Sequence, residues 1–258
     1  MRHGNTLILL SFLVLISAFA AGIPVKVEVE GEVGGTVSYL EMNKNVTGLQ
    51  HFTVQWYNSK SVNCKSRMEF HITGENVSES AWTRRRTMEA GMSSVFETYW
   101  RPPHDGRYNV SLRIHHCYDI LEKDLPGFTA DLPNNASREL SLEAENLPGG
   151  KVRVSVGSNR SMEAVVVPVE TPKGWVFDSS SALNTGPEGQ ETATIQYDPS
   201  VWSEKTAIFR AVSVDGRYVS EPVTVTVKKE SRFWKKHGEK VYITIILALF
   251  LSLVFTRF

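Results

Sequence analysis

The strongest constraint on the fold is a two-residue alternation of apolar and polar side chains. It is clearest where Tyr108, Val110, Leu112 and Ile114 alternate with polar neighbours. An alternation of this period places the apolar side chains on one face of a β-strand. Similar short segments recur along the chain between Gly, Pro, Asn and Asp residues, and none has a sustained helical period. The pattern predicts an all-β chain built of β-sandwiches.

Two domains are predicted after removal of a leader. A mature ectodomain of roughly 210 residues is long enough for two domains of about 100 residues each. The turn-forming sequence Asn-Leu-Pro-Gly-Gly at 146–150 is interpreted as the boundary. We therefore expect one β-sandwich over 21–145 and a second over 146–228. On this interpretation, residues 139–144 are the last strand of the first domain, and residues 118–134 are an irregular connection.

An apolar run near the N-terminus indicates a secretory signal. Residues 7–20 are almost entirely apolar, follow a short positive start and end in small residues. This arrangement predicts a signal peptide over 1–20, cleaved after Ala20 or one residue later. The alternative is an uncleaved N-terminal anchor.

A second apolar run indicates a C-terminal tether. Residues 241–256 carry no charge and predict a transmembrane helix of about 24 Å at about 1.5 Å per residue. That length is at the lower limit for crossing a hydrocarbon core of about 30 Å, and it suits a thin bilayer such as the endoplasmic reticulum. A basic juxtamembrane spacer over 229–240 precedes the helix, and a minimal tail over 257–258 follows it.

The orientation of this run follows from the signal peptide. Basic residues precede the run, whereas the positive-inside tendency favours them on the cytoplasmic side. The signal acts first in translocation, so we expect a single-pass type I protein with an extracellular or lumenal ectodomain. The alternative is a removable glycosylphosphatidylinositol signal with attachment at Ser231 or Gly238.

The two cysteines are expected to form one disulfide. Cys64 and Cys117 are the only cysteines, and an isolated pair in an oxidising compartment most simply pairs with itself. The bond closes a loop of about fifty residues and stabilises by roughly 3–4 kcal/mol. The alternatives are a free thiol or an intermolecular bridge. No metal is expected at His115, His116 and Cys117, because adjacent strand residues point to opposite faces.

Five Asn-x-Ser/Thr motifs predict N-glycosylation, and all lie between the two apolar runs. The glycan-bearing residues would be Asn45, Asn76, Asn109, Asn135 and Asn159. Asn109 falls on the polar face of the alternating segment described above, where a glycan is sterically allowed.

Several segments resemble the immunoglobulin-like superfold. Residues 99–112 read Tyr-Trp-Arg-Pro-Pro-His-Asp-Gly-Arg-Tyr-Asn-Val-Ser-Leu, which resembles the turn and tyrosine corner of immunoglobulin-like or filamin-like domains. The resemblance implies that the Tyr108 hydroxyl bonds to upstream backbone. Residues 31–40 resemble the first two strands of a variable-like domain, and Trp56 takes the place of its core tryptophan. Residues 207–227 are similar to the last hairpin of a fibronectin type III sandwich.

The resemblance covers both domains but extends to the superfold only. The family's inter-sheet cysteines would fall near Glu41 and Val110, which are not cysteines. A fold at this level implies an architecture and leaves function open.

Neither composition nor motifs indicate catalysis or nucleic-acid binding. The formal net charge of the 258 residues is zero, so a general phosphate-neutralising surface is not expected. No metalloprotease, nucleophile-elbow or phosphate-loop motif is present. We therefore expect no enzyme activity, no cofactor and no metal. Arg84, Arg85 and Arg86 beside Trp82 are interpreted as a solvated loop, with an acidic-ligand contact or a protease-sensitive loop as alternatives.

The sequence therefore favours a membrane-tethered glycoprotein that binds a protein partner without catalysis, in cell-surface recognition or adhesion. One alternative is a resident accessory protein of the endoplasmic reticulum, or a subunit of a membrane complex. Another is an archaeal cell-envelope glycoprotein.

Overall fold

A computed structural model describes residues 34–134, 136–200 and 203–228. The regular secondary structure of these residues consists of β-strands without any helix, which confirms the all-β prediction. The strands are β1 (Gly35–Met42), β2 (Asn45–Val46), β3 (Gln50–Asn58), β4 (Cys64–Gly74), β5 (Val77–Trp82), β6 (Arg86–Met88), β7 (Ser93–Trp100), β8 (Gly106–His116), β9 (Asp119–Ala130), β10 (Ser137–Leu147), β11 (Lys151–Ser158), β12 (Met162–Glu170), β13 (Val176–Phe177), β14 (Leu183–Thr185), β15 (Glu191–Asp198), β16 (Glu204–Ser213), β17 (Tyr218–Ser220) and β18 (Val223–Lys228).

Some predictions fall on residues outside this description. They are the signal peptide over 1–20, the spacer over 229–240, the membrane helix over 241–256, the tail over 257–258 and the sequon at Asn135. Within the described residues, no helix has the length and apolar character needed to cross a membrane.

The N-terminal unit, residues 35–130, is formed by two sheets packed face to face. One sheet has the strand order β1-β3-β7, and the other has the order β2-β9-β8-β4-β5, with β6 paired to β4. Phe52 and Trp56 of the first sheet and Phe70 and Leu112 of the second are fully buried in one apolar cluster. Burial of such side chains contributes about 1.5–3 kcal/mol each relative to exposure, so this core accounts for the sandwich-like packing.

Strand β8 confirms the alternation found in the sequence. Tyr108, Val110, Leu112 and Ile114 are buried, whereas the residues between them are at least partly exposed. The strand pairs with β4 on one side and β9 on the other. It is therefore the central strand of its sheet.

A buried polar network lies at one end of this core. The Trp56 indole nitrogen donates to Nδ1 of His116 over 3.2 Å, and the Ser66 hydroxyl lies 2.7 Å from the same atom. Because an indole nitrogen only donates, Nδ1 must accept, and Nε2 of His116 donates to Oδ1 of Asn58 over 3.1 Å. Burial and the nearby Lys60 ammonium lower the pKa of His116, which favours this neutral form.

The predicted disulfide between Cys64 and Cys117 is confirmed. The two Cα atoms are 4.8 Å apart, and the bond joins the start of β4 to the turn after β8. The backbone amide of Cys117 also donates to the Lys65 carbonyl over 3.1 Å. The disulfide thus lies directly beside the buried network around His116. Both cysteine sulfurs are used in the disulfide.

The C-terminal unit, residues 137–228, contains the remaining strands. Their order is β13-β15-β11-β10-β17-β16-β12-β14, and β18 pairs with β16. Val154, Ile195, Phe209 and Val227 are buried in its apolar cluster, where Phe177 and Tyr197 stack with ring centroids 5.3 Å apart. The pairing of β16 with β17 across Asp215 and Gly216 agrees with the hairpin signal at those two residues.

The assignment of residues 139–144 to the first domain is wrong. These residues belong to β10, which pairs with β11 along its length and with β17. Gly149 and Gly150 have positive φ angles of 83° and 73°, so the Pro-Gly-Gly sequence closes a tight hairpin rather than separating two domains. The passage from one unit to the other lies between Ala130 and Ser137.

The segment 118–134, predicted to be irregular, is largely a strand. Residues 119–130 form β9, which is antiparallel to β8. Leu125 lies opposite Val110, but Phe128 lies opposite Tyr108, so a bulge inserts an extra residue into β9. The bulge breaks the two-residue period, which explains why the sequence pattern does not identify this strand.

The hydroxyl of Tyr108 makes a local contact at the start of β8. It donates to the His104 carbonyl over 2.7 Å, while the ring packs against Trp100 and Phe128. We expect Tyr108→Phe to lower the free energy of unfolding by about 1 kcal/mol, the usual net value of one hydrogen bond. Urea unfolding measures the change. Tyr118→Phe, which removes a fully exposed hydroxyl, is the control, and equal effects of the two variants would contradict the expectation.

Candidate functional site

The two units meet along a buried apolar seam. Leu49 and Tyr99 of the N-terminal unit pack on a valine cluster of the C-terminal unit. That cluster consists of Val165, Val167, Val212 and Val219. Gly48 also approaches Gly216 so closely that a Cβ atom on Gly48 would lie 2.3 Å from the Gly216 nitrogen. Only glycine fits at this crossing, so backbone meets backbone beside the apolar contact.

The arginine cluster lies at one end of this seam. Nη2 of Arg85 is 2.9 Å from Oδ2 of Asp198 in the C-terminal unit. The Gln196 amide oxygen, in the orientation that satisfies both groups, accepts from Nε and Nη2 of Arg84 over 3.2 and 2.9 Å. Arg86 lies on β6 and is exposed. Arg84 and Arg85 are exposed residues of the loop between β5 and β6, and their guanidinium groups also contact the C-terminal unit.

Asp178 is a buried carboxyl at the same end. Its side chain accepts a hydrogen bond from the backbone N–H of Gln196, and its backbone forms an isolated parallel bridge with Trp82. Burial raises the pKa of Asp178 to about 7, although the amide hydrogen bond and Arg84 act to lower it. The Arg67 guanidinium lies 4.4 Å from the Trp82 ring centroid and closes this end.

A groove runs along the seam beside these contacts, and we call it the seam groove. Its main cavity has a volume of about 540 Å³ and lies between β5 and β7 on one side and residues 167–179 on the other. Aromatic and hydroxyl side chains line it, including Trp82, Trp100, Trp175, Ser78, Ser80 and Ser179. A second cavity of about 320 Å³ adjoins it and shares Glu79 and Trp100. The size is in the range of ligand-binding clefts.

One wall of the seam groove is the free edge of a sheet. Strand β5 is the last strand of its sheet and, among the strands that the structure describes, pairs only with β4. The Thr83 amide donates to the Met68 carbonyl of β4 over 3.0 Å, so alternate residues back along β5 also face β4. The backbone groups of Ser78, Ser80 and Trp82 therefore point away from β4. The Trp82 carbonyl accepts from Thr98, whereas the outward groups of Ser78 and Ser80 have no partner among the described residues.

The Ser80 side chain belongs to a polar cluster at the lip of this edge. Its hydroxyl donates to Oε1 of Glu69 over 2.7 Å, and Nδ1 of His71 lies 3.3 Å from the same hydroxyl oxygen. Burial acts to raise the pKa of Glu69, but hydrogen bonds from His115 and Ser80 outweigh it and hold the pKa below its ordinary value. Because the one Ser80 proton goes to a carboxylate, this contact positions side chains and does not activate a nucleophile.

Two tryptophans contribute indole N–H donors to the seam groove. The Trp100 indole donates to Oε2 of Glu79 over 2.8 Å. The Trp175 indole nitrogen is buried and has no hydrogen-bond partner in the described part of the chain. A buried donor without a partner loses about 1–3 kcal/mol of solvation. The groove therefore contains a donor that is unsatisfied in the free protein.

The site residues predicted from the sequence lie outside the seam groove. The disulfide of Cys64 and Cys117 and the ring of Tyr108 belong to the N-terminal unit. The described sequon asparagines, all exposed and none lining the groove, are Asn45, Asn76, Asn109 and Asn159. Sequence reasoning singled out Trp82 with the arginines but missed Glu79, Trp100 and Trp175, which come from separate segments.

Comparison with known proteins identifies no family. No protein-family model matches the sequence, and no curated protein matches it. A red sea bream transglutaminase is 10% identical over 74% of this chain and 31% of its own, with a TM-score of 0.25. Latent PorU from Porphyromonas gingivalis is 12% identical over 80% and 21%, with a TM-score of 0.30. A protein of unknown function from Porphyromonas gingivalis W83 is 10% identical over 76% and 100%, with a TM-score of 0.27.

This chain thus spans less than a third of the transglutaminase and about a fifth of PorU. Similarities at these identities and TM-scores indicate no family and no activity.

The buried Asp178 predicts a pH-dependent stability. Its pKa is about 7 in the folded chain, compared with an ordinary value of 3.8. The carboxyl therefore stays protonated to a higher pH in the folded chain than in the unfolded chain. The stabilisation is complete below the lower value and is lost as the pH rises through about 7. We expect Asp178→Asn to be more stable than the wild type at pH 8.5, with a smaller difference at pH 5.

Thermal unfolding midpoints at the two pH values measure this effect. Asp131→Asn, which neutralises an exposed carboxyl outside the seam, controls for the change in net charge. A difference between Asp178→Asn and wild type that does not vary with pH would contradict the assignment.

Proposed function

We propose that this chain is a membrane-tethered glycoprotein whose ectodomain binds a protein partner without catalysis. The observation that carries the proposal is the seam groove, with its unpaired strand edge at Ser78 and Ser80. Backbone groups that face a groove without partners are suited to binding another chain. The volume and aromatic lining of the groove also support a binding role.

The finer architecture that we propose is two tandem immunoglobulin-like sandwiches, with the boundary moved to residues 131–136. The buried Trp56 at the disulfide end and the Tyr108 hydroxyl bond to His104 support this type for the first unit. The β16–β18 pairing supports a similar ending for the second unit. The inter-sheet disulfide usual in antibody domains is replaced by the bond between Cys64 and Cys117 at the end of the sheet.

The tether that we propose consists of the cleaved signal over 1–20, the spacer over 229–240 and the span over 241–256. The ectodomain is then extracellular or lumenal, in cell-surface recognition or adhesion. A resident of the endoplasmic reticulum is the second candidate, because the span is short. Glycans that remain sensitive to endoglycosidase H at steady state would favour the resident, whereas complex glycans would favour the surface protein. An archaeal host would replace both with an envelope glycoprotein.

Exposure of the described sequons predicts that they carry glycans. Asn45, Asn76, Asn109 and Asn159 are all exposed, so a glycosyl group meets no packed core. We expect each Asn→Gln variant to reduce the apparent mass on a denaturing gel by one glycan step. Asn184→Gln, at an exposed asparagine outside any sequon, is the matched control. Unchanged mobility of every sequon variant in the native host would contradict the glycoprotein assignment.

Photo-crosslinking of the full-length chain in its host tests the binding role. A crosslinking residue at Thr171, which is exposed and lines the seam groove, should yield a discrete adduct with a second protein. The same residue at Thr226, exposed on β18 outside the groove, should not yield that adduct. No protein adduct from Thr171, or the same adduct from both positions, would overturn the proposal.

A further inference from the structure

The free edge of β5 has a length and an orientation that fit an added strand. Ser78 and Ser80 each present an N–H and a C=O group to the seam groove, and the two residues are separated by one β repeat. A strand laid beside β5 would bond to these groups at the spacing of an antiparallel or parallel ladder. Trp82 already forms such a bridge with Asp178 at the far end of the edge. The geometry for strand addition is therefore present along the remainder of β5.

The opposite end of the groove contains two arginine side chains. Arg101 and Arg210 line the cavity of about 320 Å³, and neither forms an ion pair among the described residues. Nε of Arg210 is buried and has no hydrogen-bond partner in the described part of the chain. Burial and the nearby Arg210 lower the pKa of Arg101, because both disfavour its positive charge.

The acidic residues nearby do not neutralise this pair. Glu79 and Glu170 line the same cavity, but neither carboxylate lies within ion-pair distance of Arg101 or Arg210. The Glu79 carboxylate instead accepts from the Trp100 indole. Two guanidinium groups, one with an unsatisfied buried donor, are complementary to a carboxylate, which accepts several hydrogen bonds at once.

We infer that the seam groove binds an extended peptide segment of the protein partner, which adds a strand to β5 and places a carboxylate at Arg101 and Arg210. This inference rests on the proposed binding function and specifies its mode. The backbone of the segment bonds to Ser78 and Ser80, and its alternate side chains contact Trp82, Trp100 and Trp175. Main-chain bonds supply affinity in this mode, and side-chain pockets supply specificity.

An oligosaccharide is the other ligand that aromatic and hydroxyl side chains suggest. A sugar does not use the N–H and C=O groups of a strand edge in register, and a neutral sugar leaves the arginine pair uncompensated. The peptide accounts for both observations.

Selection of random dodecapeptides on the immobilised full-length chain tests the inference. We expect enriched peptides to carry an aspartate, a glutamate or a free C-terminal carboxylate at one fixed position. Their dissociation constants should rise by at least about tenfold in Ser80→Pro, which removes an outward N–H without breaking a bond to β4. Ser80→Ala loses the same hydroxyl but keeps the N–H, so it should bind these peptides at least about tenfold more tightly than Ser80→Pro does.

The arginine pair has its own comparison. Arg210→Gln should weaken the acidic peptides by at least about tenfold but leave their Gln-substituted versions unaffected. Arg107→Gln, which removes an exposed arginine on β8, is the control for net charge. Equal binding by Ser80→Pro and Ser80→Ala, the absence of any selected peptide, or binding of a glycan array in place of peptides would overturn the inference.

Two further measurements keep the outcome interpretable. Thermal unfolding tests whether Ser80→Pro is folded. If Ser80→Pro does not fold, Thr171→Trp takes its place, because a tryptophan there blocks the groove from the opposite wall and should abolish peptide binding. The Thr171 crosslink distinguishes a failure of strand addition from a failure of the binding function. A protein adduct that persists in Ser80→Pro would overturn strand addition alone, whereas the absence of any adduct would overturn the binding function itself.

Discussion

Leu49 of the first unit is buried against valines of the second, where Tyr99 also packs, and this contact fixes the arrangement of the whole seam. Apolar burial contributes about 25 cal/mol per Å² without directional preference, so by itself it would tolerate sliding. The close approach of Gly48 to Gly216 and the hydrogen bond from the Tyr99 amide to Ser179 over 3.0 Å supply the missing register. The groove beside the contact keeps its shape because both walls are held in this way.

The seam also resolves a problem that every open sandwich has. Strands β5 and β7 both end their sheets, and unpaired edges are sites of unwanted association. In this chain the second unit faces both edges. Ser179 of the second unit accepts from the Tyr99 amide, and Thr98 of β7 donates to the Trp82 carbonyl, so two of the edge groups are occupied. The backbone groups of Ser78 and Ser80 are not covered in this way. The space beside them is therefore a groove and not a closed interface.

The sequence predicts the parts of the fold that depend on local periodicity. The alternation in β8 identifies a strand and its buried face because the strand is regular and central. The same reasoning does not identify strand β9, because its bulge shifts the two-residue period. It assigns β10 to the wrong domain, because a Pro-Gly-Gly hairpin has the composition of a linker. In both cases the strand pairs with its neighbour in the chain, and neither the two-residue period nor the composition of the turn identifies that pairing.

The candidate site is still less accessible to sequence reasoning, for a related reason. Glu79, Trp100, Trp175 and Arg210 come from four separate segments and acquire a common role only when two units pack. The arginines after Trp82 stand out in the sequence, but their role depends on Asp198 and Gln196, more than a hundred residues away in the chain. A run of charged residues in a sequence can thus indicate a contact, but it does not identify the residues on the other side of that contact.

The position of Asn76 connects the glycoprotein assignment with the groove. This sequon lies in the turn directly before β5, with φ of 57°, and its hydroxyl residue is Ser78 at the start of the free edge. A glycan there would stand at the entrance of the edge and block edge-to-edge pairing with another sheet, which needs a long flat approach. A single strand needs a narrower approach than a whole sheet, so it would still reach Ser80. On the proposed function, the glycan and the second unit together restrict the edge to one kind of partner.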